Sequence, residues 1–251
     1  HSSNNYGALL QCYALSKTIE SLGGKVSIIN LEKEYIKDFE GVSSLSKQKV
    51  LLKKNFTNSL FQKEFDVFRD KYLRDKYTKK VKKVEDLKQF SNQFDAIVVG
   101  SDQVWRYAYT KKTLESFFLD FASDTTKKVS YAASFGLDYF EGDTVLEKKI
   151  NTLINRFHAV SVREDAGVKI CEEKFKIKAT HVLDPVFLLS SDEYQKLIEK
   201  KDDQVKDKYL AYYLLNPDNF REKLLSKVME TQEISIKENV YTNDKFSFRK
   251  P

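Results

Sequence analysis

Apolar residues recur at Leu9, Leu10, Tyr13, Ala14, Ile19 and Leu22 ahead of Gly23-Gly24, a spacing that predicts a helix stopped by glycine. The run Val26-Ser27-Ile28-Ile29-Asn30-Leu31 predicts the strand that follows it. From about 39 to 77 the chain is Lys-rich, with Leu60, Phe61, Phe65, Phe68 and Leu73 at helical intervals. This predicts an inserted helical hairpin or lid, which either packs on the sheet or covers a bound acceptor. A short helix is expected over 84–90. Ala96-Ile97-Val98-Val99 then reads as a buried parallel strand, because it is a β-branched run bounded by Asp95 and Gly100.

The same alternation continues. Strands are predicted over 128–133, 159–162 and 180–183, with helices over 145–157, 166–173 and 192–200 between and after them. Strands alternating with helices define an α/β class with a doubly wound, Rossmann-like parallel sheet. In such a fold a strand precedes the first helix, so one strand is expected ahead of the Asn-rich loop at residues 4–5. The charged stretch Lys201-Asp202-Asp203-Gln204 marks a boundary. We therefore expect an N-terminal domain over 1–205 and the opening of a second over 206–251. The second begins with a strand at 209–215, a helix at 218–230 and a strand near Ile234.

Composition narrows the class. With 251 residues, 41% hydrophobic and 13% aromatic, the chain can bury a sizeable core. Its 43 basic and 37 acidic residues leave a net charge of +6, which favours anionic partners without selecting one. The run Lys79-Lys80-Val81-Lys82-Lys83 lacks any nucleic-acid motif or stacking pattern and reads as a solvated face. Cys12 and Cys171 fall on apolar helix positions as small hydrophobes. Two lone thiols, no leader and no long apolar run point to a cytoplasmic setting. No spacing of Cys, His or carboxylates suggests a metal.

Candidate chemistry gathers at strand ends, where open α/β sheets bind ligands. Ser101, Asp102 and Gln103 follow the 96–99 strand beside Trp105, the single tryptophan. Arg163 and Glu164 follow the 159–162 strand. Asp184 precedes Pro185, which holds it extended and should project its carboxylate. Polar tips from neighbouring strands thus converge on one edge. His158 and His181 flank strands and read as structural residues.

Five stretches together resemble the polysaccharide pyruvyl transferase family. They are Asn5-Tyr6-Gly7-Ala8-Leu9-Leu10-Gln11-Cys12-Tyr13-Ala14-Leu15, Gly100-Ser101-Asp102-Gln103-Val104-Trp105, Ser130-Tyr131-Ala132-Ala133-Ser134-Phe135-Gly136, Ser161-Val162-Arg163-Glu164 and Leu183-Asp184-Pro185-Val186. The family's later Ser-Phe-His-Gly-like segment has no counterpart in this chain, so the chain resembles the N-terminal half of a two-domain, GT-B-like architecture with the start of its second half. The resemblance implies transfer of the enolpyruvyl unit of phosphoenolpyruvate to two hydroxyls of a glycan or polyprenyl-linked sugar. The product would be a pyruvate ketal, made in exopolysaccharide or cell-wall polysaccharide synthesis at the inner face of the membrane, with no cofactor.

On that reading Asp102 and Asp184 are the catalytic candidates. Arg163, Asn5, Tyr6, Ser101, Gln103 and Glu164 are the binding candidates. Each has a plainer alternative. Arg163 can ion-pair with Glu164, Asp165 or Asp184; Asp102 and Asp184 can cap the following backbone; Asn5 can cap the first helix. The alternative functions are a GT-B-type glycosyltransferase using a nucleotide sugar and a non-catalytic carbohydrate-binding protein of the same fold.

Overall fold

The computed structural model describes residues 5–31, 63–198, 209–212, 214, 218–234 and 236–239. Helix α1 (Tyr6–Ser21) starts where the Asn5 side chain accepts a hydrogen bond from the Ala8 amide at 3.0 Å. It buries Leu9, Tyr13 and Ala14 and stops at Gly23, whose φ of +88° is a conformation glycine takes without strain. A helix over 63–72, α2, packs Phe68 and Tyr72 against Tyr13 at ring distances of 5.9 and 5.5 Å. The rest of the expected insertion, up to residue 62, lies outside the described residues.

Four strands form one parallel sheet in the order β1 (Ala96–Val99), β2 (Lys127–Ala133), β3 (Ala159–Val162) and β4 (Thr180–His181). Helices α3 (Thr144–Ile154) and α4 (Asp165–Lys174) make the crossovers. Asp143 caps α3 through the Leu146 amide at 2.8 Å. Gly167 lets α4 press on β3, since a Cβ there would lie 3.0 Å from the Cβ of Val162. The α/β class and parallel sheet expected from the sequence are therefore present.

The core centres on Trp105, 1% exposed, stacked on Phe118 at 4.8 Å and tilted against Phe135 at 5.2 Å. Its indole N–H donates to the Phe117 carbonyl at 2.9 Å, so no polar atom is stranded by the burial. A second small cluster joins Val81, Leu87 and Phe90.

Four expectations need correction. The 26–31 segment forms single parallel bridges, Ile28 to Tyr77 and Leu31 to Val81, rather than a continuous strand. The fourth strand ends at His181; the Val182 amide still donates to the Val162 carbonyl, and Asp184 then turns the chain into a 3-10 helix over Pro185–Leu188. The β1 run is not buried on both faces. Ile97 and Val99 are buried, Ala96 is exposed and Val98 is 36% exposed, because one edge and flank of β1 border a cleft. The predicted 192–200 helix is likewise shorter, Ser191–Gln195, with residues 199–200 outside the described set.

The chain divides into two compact units, His1–Lys196 and Leu197–Pro251. In the second, β5 (Tyr209–Tyr212) pairs in parallel with β6 (Ile236–Asn239), and α5 (Asn219–Thr231) connects them. Asp218 caps α5 by accepting from the Arg221 amide at 2.8 Å.

Candidate active site at the ends of the strands

Local backbone geometry brings the site together. Within β2 the register shifts between Ser130 and Ala133, and Ala132 has a φ of +55°. Ser130 and Ser161 compensate for the bulge: Ser130 Oγ donates to the Ser161 carbonyl at 3.0 Å, and Ser161 Oγ donates to the Ser130 carbonyl at 2.8 Å. The Ala132 amide finds Ser161 Oγ at 3.2 Å. Past the bulge the Ser134 amide donates to the Asp102 carbonyl at 3.1 Å, and the Ser134 carbonyl accepts from the Trp105 amide. The loops after β1 and β2 are thus clasped together. Asp102 carries a φ of +110°, and Gly136 a φ of +71°, so three positive-φ residues cluster at these strand ends. At Asp102 and Ala132, which are not glycine, strain of this kind persists only where surrounding contacts enforce it.

Asp184 is the hub. Its Oδ2 accepts from Gln11 Nε2 on α1, from Ser101 Oγ at 3.2 Å after β1, and from Arg163 Nη1 at 3.2 Å after β3. Its Oδ1 accepts from the Val186 amide at 3.1 Å. Arg163 in turn donates through Nε to Glu164 Oε1 at 2.9 Å. The buried Ser134 hydroxyl also donates to Glu164 Oε1, at 2.9 Å, while accepting from the Gly136 amide. One connected network therefore ties α1 to the ends of β1, β2 and β3.

Electrostatics follow from that packing. Burial works against the Arg163 charge, but the hydrogen bonds and charges of Glu164 and Asp184 outweigh it, and its pKa lies above the ordinary guanidinium value. Burial, and then the Asp184 carboxylate, push the phenols of Tyr131 and Tyr194 above their usual range. Both tyrosines therefore stay protonated through neutral pH. Arg163 Nη2 has no hydrogen bond among the described residues, and the side chain is 25% exposed, so one face of the guanidinium is open to a further anion.

Of the predicted residues, the structure unites Ser101, Arg163, Glu164 and Asp184. The Asp184 carboxylate does not simply project from its strand end. It turns back to cap the Val186 amide as well, because Pro185 starts a helical turn whose first amides need an acceptor. The side chains of the other candidates make different contacts. Asp102 Oδ1 accepts from the Gln103 amide at 2.8 Å, in a loop whose carboxylate is exposed. Gln103 Oε1 accepts from Arg106 Nη1 at 2.9 Å. Asn5 is the cap of α1, and Tyr6, 61% exposed, rests its ring 4.7 Å from Phe65. Gln11 and Ser134 belong to the network and were not singled out from sequence. Gln11 could have been noticed as the lone amide on a stripe, Ala8, Leu15 and Ile19, that otherwise carries apolar side chains toward the sheet.

Among the described residues no group of three His, Cys, Asp or Glu side chains could hold a metal ion, and no helix is long and apolar enough to cross a membrane. In open parallel α/β sheets ligands bind at the carboxyl ends of the strands, and this network lies there. The polysaccharide pyruvyl transferase family model matches residues 5–248, nearly the whole chain, and the chain belongs to that family. Neither the curated proteins nor the solved structures offer a match.

Proposed function

We propose that the protein transfers the enolpyruvyl unit of phosphoenolpyruvate to two hydroxyls of a glycan, forming a pyruvate ketal and releasing phosphate. In that reaction both hydroxyl oxygens bond to C2 and the C2–O bond to phosphate breaks. One hydroxyl proton equivalent ends on the methylene carbon, which becomes a methyl group, and the other leaves with phosphate. Cationic groups must hold the donor's phosphate and carboxylate, and a base must take a hydroxyl proton.

The observation that carries this reading is Arg163, a guanidinium within the stretch that the family model matches, whose Nε and Nη1 are held by carboxylates while Nη2 has no hydrogen bond among the described residues. Such an arrangement orients an anion contact in advance. Asp102 is the candidate base for the acceptor hydroxyl, with Gln103, Asn5 and Tyr6 as acceptor contacts. Asp184 and Glu164, engaged by several donors each, hold Arg163 in place. We read β5, α5 and β6 as the opening of a second Rossmann-like half in a GT-B-like enzyme that works in the cytoplasm on polysaccharide precursors, with phosphoenolpyruvate as co-substrate and no cofactor.

The test is phosphoenolpyruvate-dependent modification of a sugar acceptor by the whole gene product. Arg163→Ala is expected to lower turnover by at least about a hundredfold, the effect of losing one charged transition-state contact. Undiminished turnover would remove Arg163 from the site. A thermal shift on adding phosphoenolpyruvate supports the donor. A shift with a nucleoside diphosphate alone would replace this reading with a glycosyltransferase, and a shift with glycan alone would replace it with a carbohydrate binder.

A further inference from the structure

Two segments beside the strand-end network are clasped to each other. Residues 106–109 follow β1 and lead through a single helical turn, Tyr107–Thr110; residues 136–141 follow β2. The Arg106 carbonyl fixes the first, accepting from the Tyr109 and Thr110 amides at 3.1 Å and from the buried Thr110 Oγ1 at 2.8 Å. The second is pinned by Phe135 and Phe140, both buried and edge to face at 6.3 Å. Glu141 Oε2 joins the two by accepting from the Ala108 amide at 2.9 Å.

Gly136 is where they come closest. A Cβ there would lie 2.9 Å from Arg106 Cδ and 2.5 Å from Gln103 Oε1. The Gly136 amide donates to Ser134 Oγ, Ser134 Oγ donates to Glu164 Oε1, and Arg163 Nε donates to that same oxygen. The clasp therefore borders the site around Arg163.

Ring surface and polar atoms are left over. Tyr107, Tyr109 and Tyr139 are exposed on these two short segments, a concentration of amphipathic rings that marks a contact surface. Tyr109, 67% exposed, is the one held in place: the guanidinium carbon of Arg106 lies 4.4 Å from its ring centroid and covers one face, so the other is open. Arg106 and Glu141 stand too far apart for a hydrogen bond, with Nε 3.7 Å from Oε1. Arg106 Nε is buried with no acceptor, and Gln103 Oε1 takes only Nη1. Among the described residues neither Arg106 Nη2 nor Glu141 Oε1 has a hydrogen bond. A mostly buried pair with a donor and an acceptor both unused is short of a partner.

The chemistry of that partner follows from the combination. A pyranose has an apolar face of C–H bonds for a ring to cover, and its neighbouring hydroxyls each donate and accept. An anion would meet the Glu141 carboxylate and the exposed Asp102 and Asp138 nearby in the chain, so a neutral ring fits better. We infer that Arg106, Tyr109 and Glu141 form a subsite for a neutral sugar ring of the acceptor. The ring stacks on the open face of Tyr109, one hydroxyl accepts from Arg106 Nη2, and an adjacent one donates to Glu141 Oε1. The inference rests on the proposed function for the acceptor's being a glycan and adds the residues that recognise it.

The experiment uses the whole gene product and, as probe, the cell-surface polysaccharide of its source cells after mild-acid removal of pyruvate. Affinity electrophoresis reads polysaccharide binding, and a thermal shift reads phosphoenolpyruvate binding separately. Tyr109→Ala is expected to weaken polysaccharide binding at least about tenfold, the loss of one stacked ring face. Tyr109→Phe, which keeps the ring, should bind as the parent does. Glu141→Gln, whose single oxygen the Ala108 amide claims, should also bind more weakly. All three should melt close to the parent and keep its shift with phosphoenolpyruvate, which separates lost recognition from lost folding. Parent-like binding by Tyr109→Ala or Glu141→Gln, equal losses in Tyr109→Phe and Tyr109→Ala, or a parent that does not bind the polysaccharide would overturn the subsite. A parent that binds the polysaccharide through Tyr109 yet shows no shift with phosphoenolpyruvate would support the subsite and end the proposed transfer instead.

Discussion

Asp184→Asn removes a charge and one acceptor oxygen while keeping the side-chain shape. The native carboxylate serves Gln11, Ser101 and Arg163 through Oδ2 and the Val186 amide through Oδ1. An amide has one oxygen, so either three side-chain donors or the Val186 amide must face its NH2 group. The second arrangement costs less, and it still leaves one backbone donor without an acceptor, about 1–3 kcal/mol. The lost charge adds to this. Arg163 and Asp184 side chains are 25% and 17% exposed, between the surface and buried limits, and Glu164 still holds the guanidinium, so about 1 kcal/mol is appropriate. The sum is about 2–4 kcal/mol. For a unit of this size each kcal/mol moves Tm by about 2–4 °C, which gives a fall of about 4–16 °C in a calorimetric or circular-dichroism melt. Ser101→Ala, which removes a single bond, should fall by much less. An Asp184→Asn variant melting with the parent protein would show that the hub does not hold these elements together.

Other consequences are testable in the same preparations. Trp105→Ala empties a site packed by Phe118, Phe135 and Phe157 and should cost about 3–5 kcal/mol in urea unfolding. Gly136→Ala should cost about 1–3 kcal/mol, since its φ is +71° and the new Cβ would lie 2.5 Å from Gln103 Oε1; an unchanged midpoint would contradict the described turn. Burial pushes the Cys171 thiol from 9.0 up to about 12. A raised folded value means the thiol's contribution is complete below pH 9 and is lost as pH climbs toward 12, up to about 4 kcal/mol. Cys171→Ala should therefore show a shallower alkaline decline in stability than the parent, and parallel curves would refute the assignment.

Much of the sheet was legible because its strands are short β-branched runs between polar punctuation, as at Ala96–Val99 and Ala159–Val162, where pattern and structure agree residue for residue. The first helix was legible through its cap, Asn5, and its apolar face, whereas the Asp143 cap of α3 emerged only from the structure. The site was half legible. Ser101, Arg163 and Asp184 stand at strand ends, where topology alone brings them close. Gln11 did not stand out, because a glutamine on a helix has no local signal for a partner at residue 184. The curl of Asp184 onto the Val186 amide was hidden for a different reason: the rule for residues before proline fixes the backbone, here ψ 143°, and leaves the side chain free to turn inward. The half-exposed β1 could not be read from its own four residues, since what a strand buries depends on its neighbours.

The bond between Gln11 and Asp184 spans 173 positions. On a ribosome adding roughly 5–20 residues per second, the first helix waits on the order of ten to thirty-five seconds before the carboxylate that anchors it has been made. Through that interval the newborn amphipathic segment has its greasy stripe without its final tether, a natural client for holding chaperones, and the strand-end network is among the last parts of this unit to be assembled during synthesis.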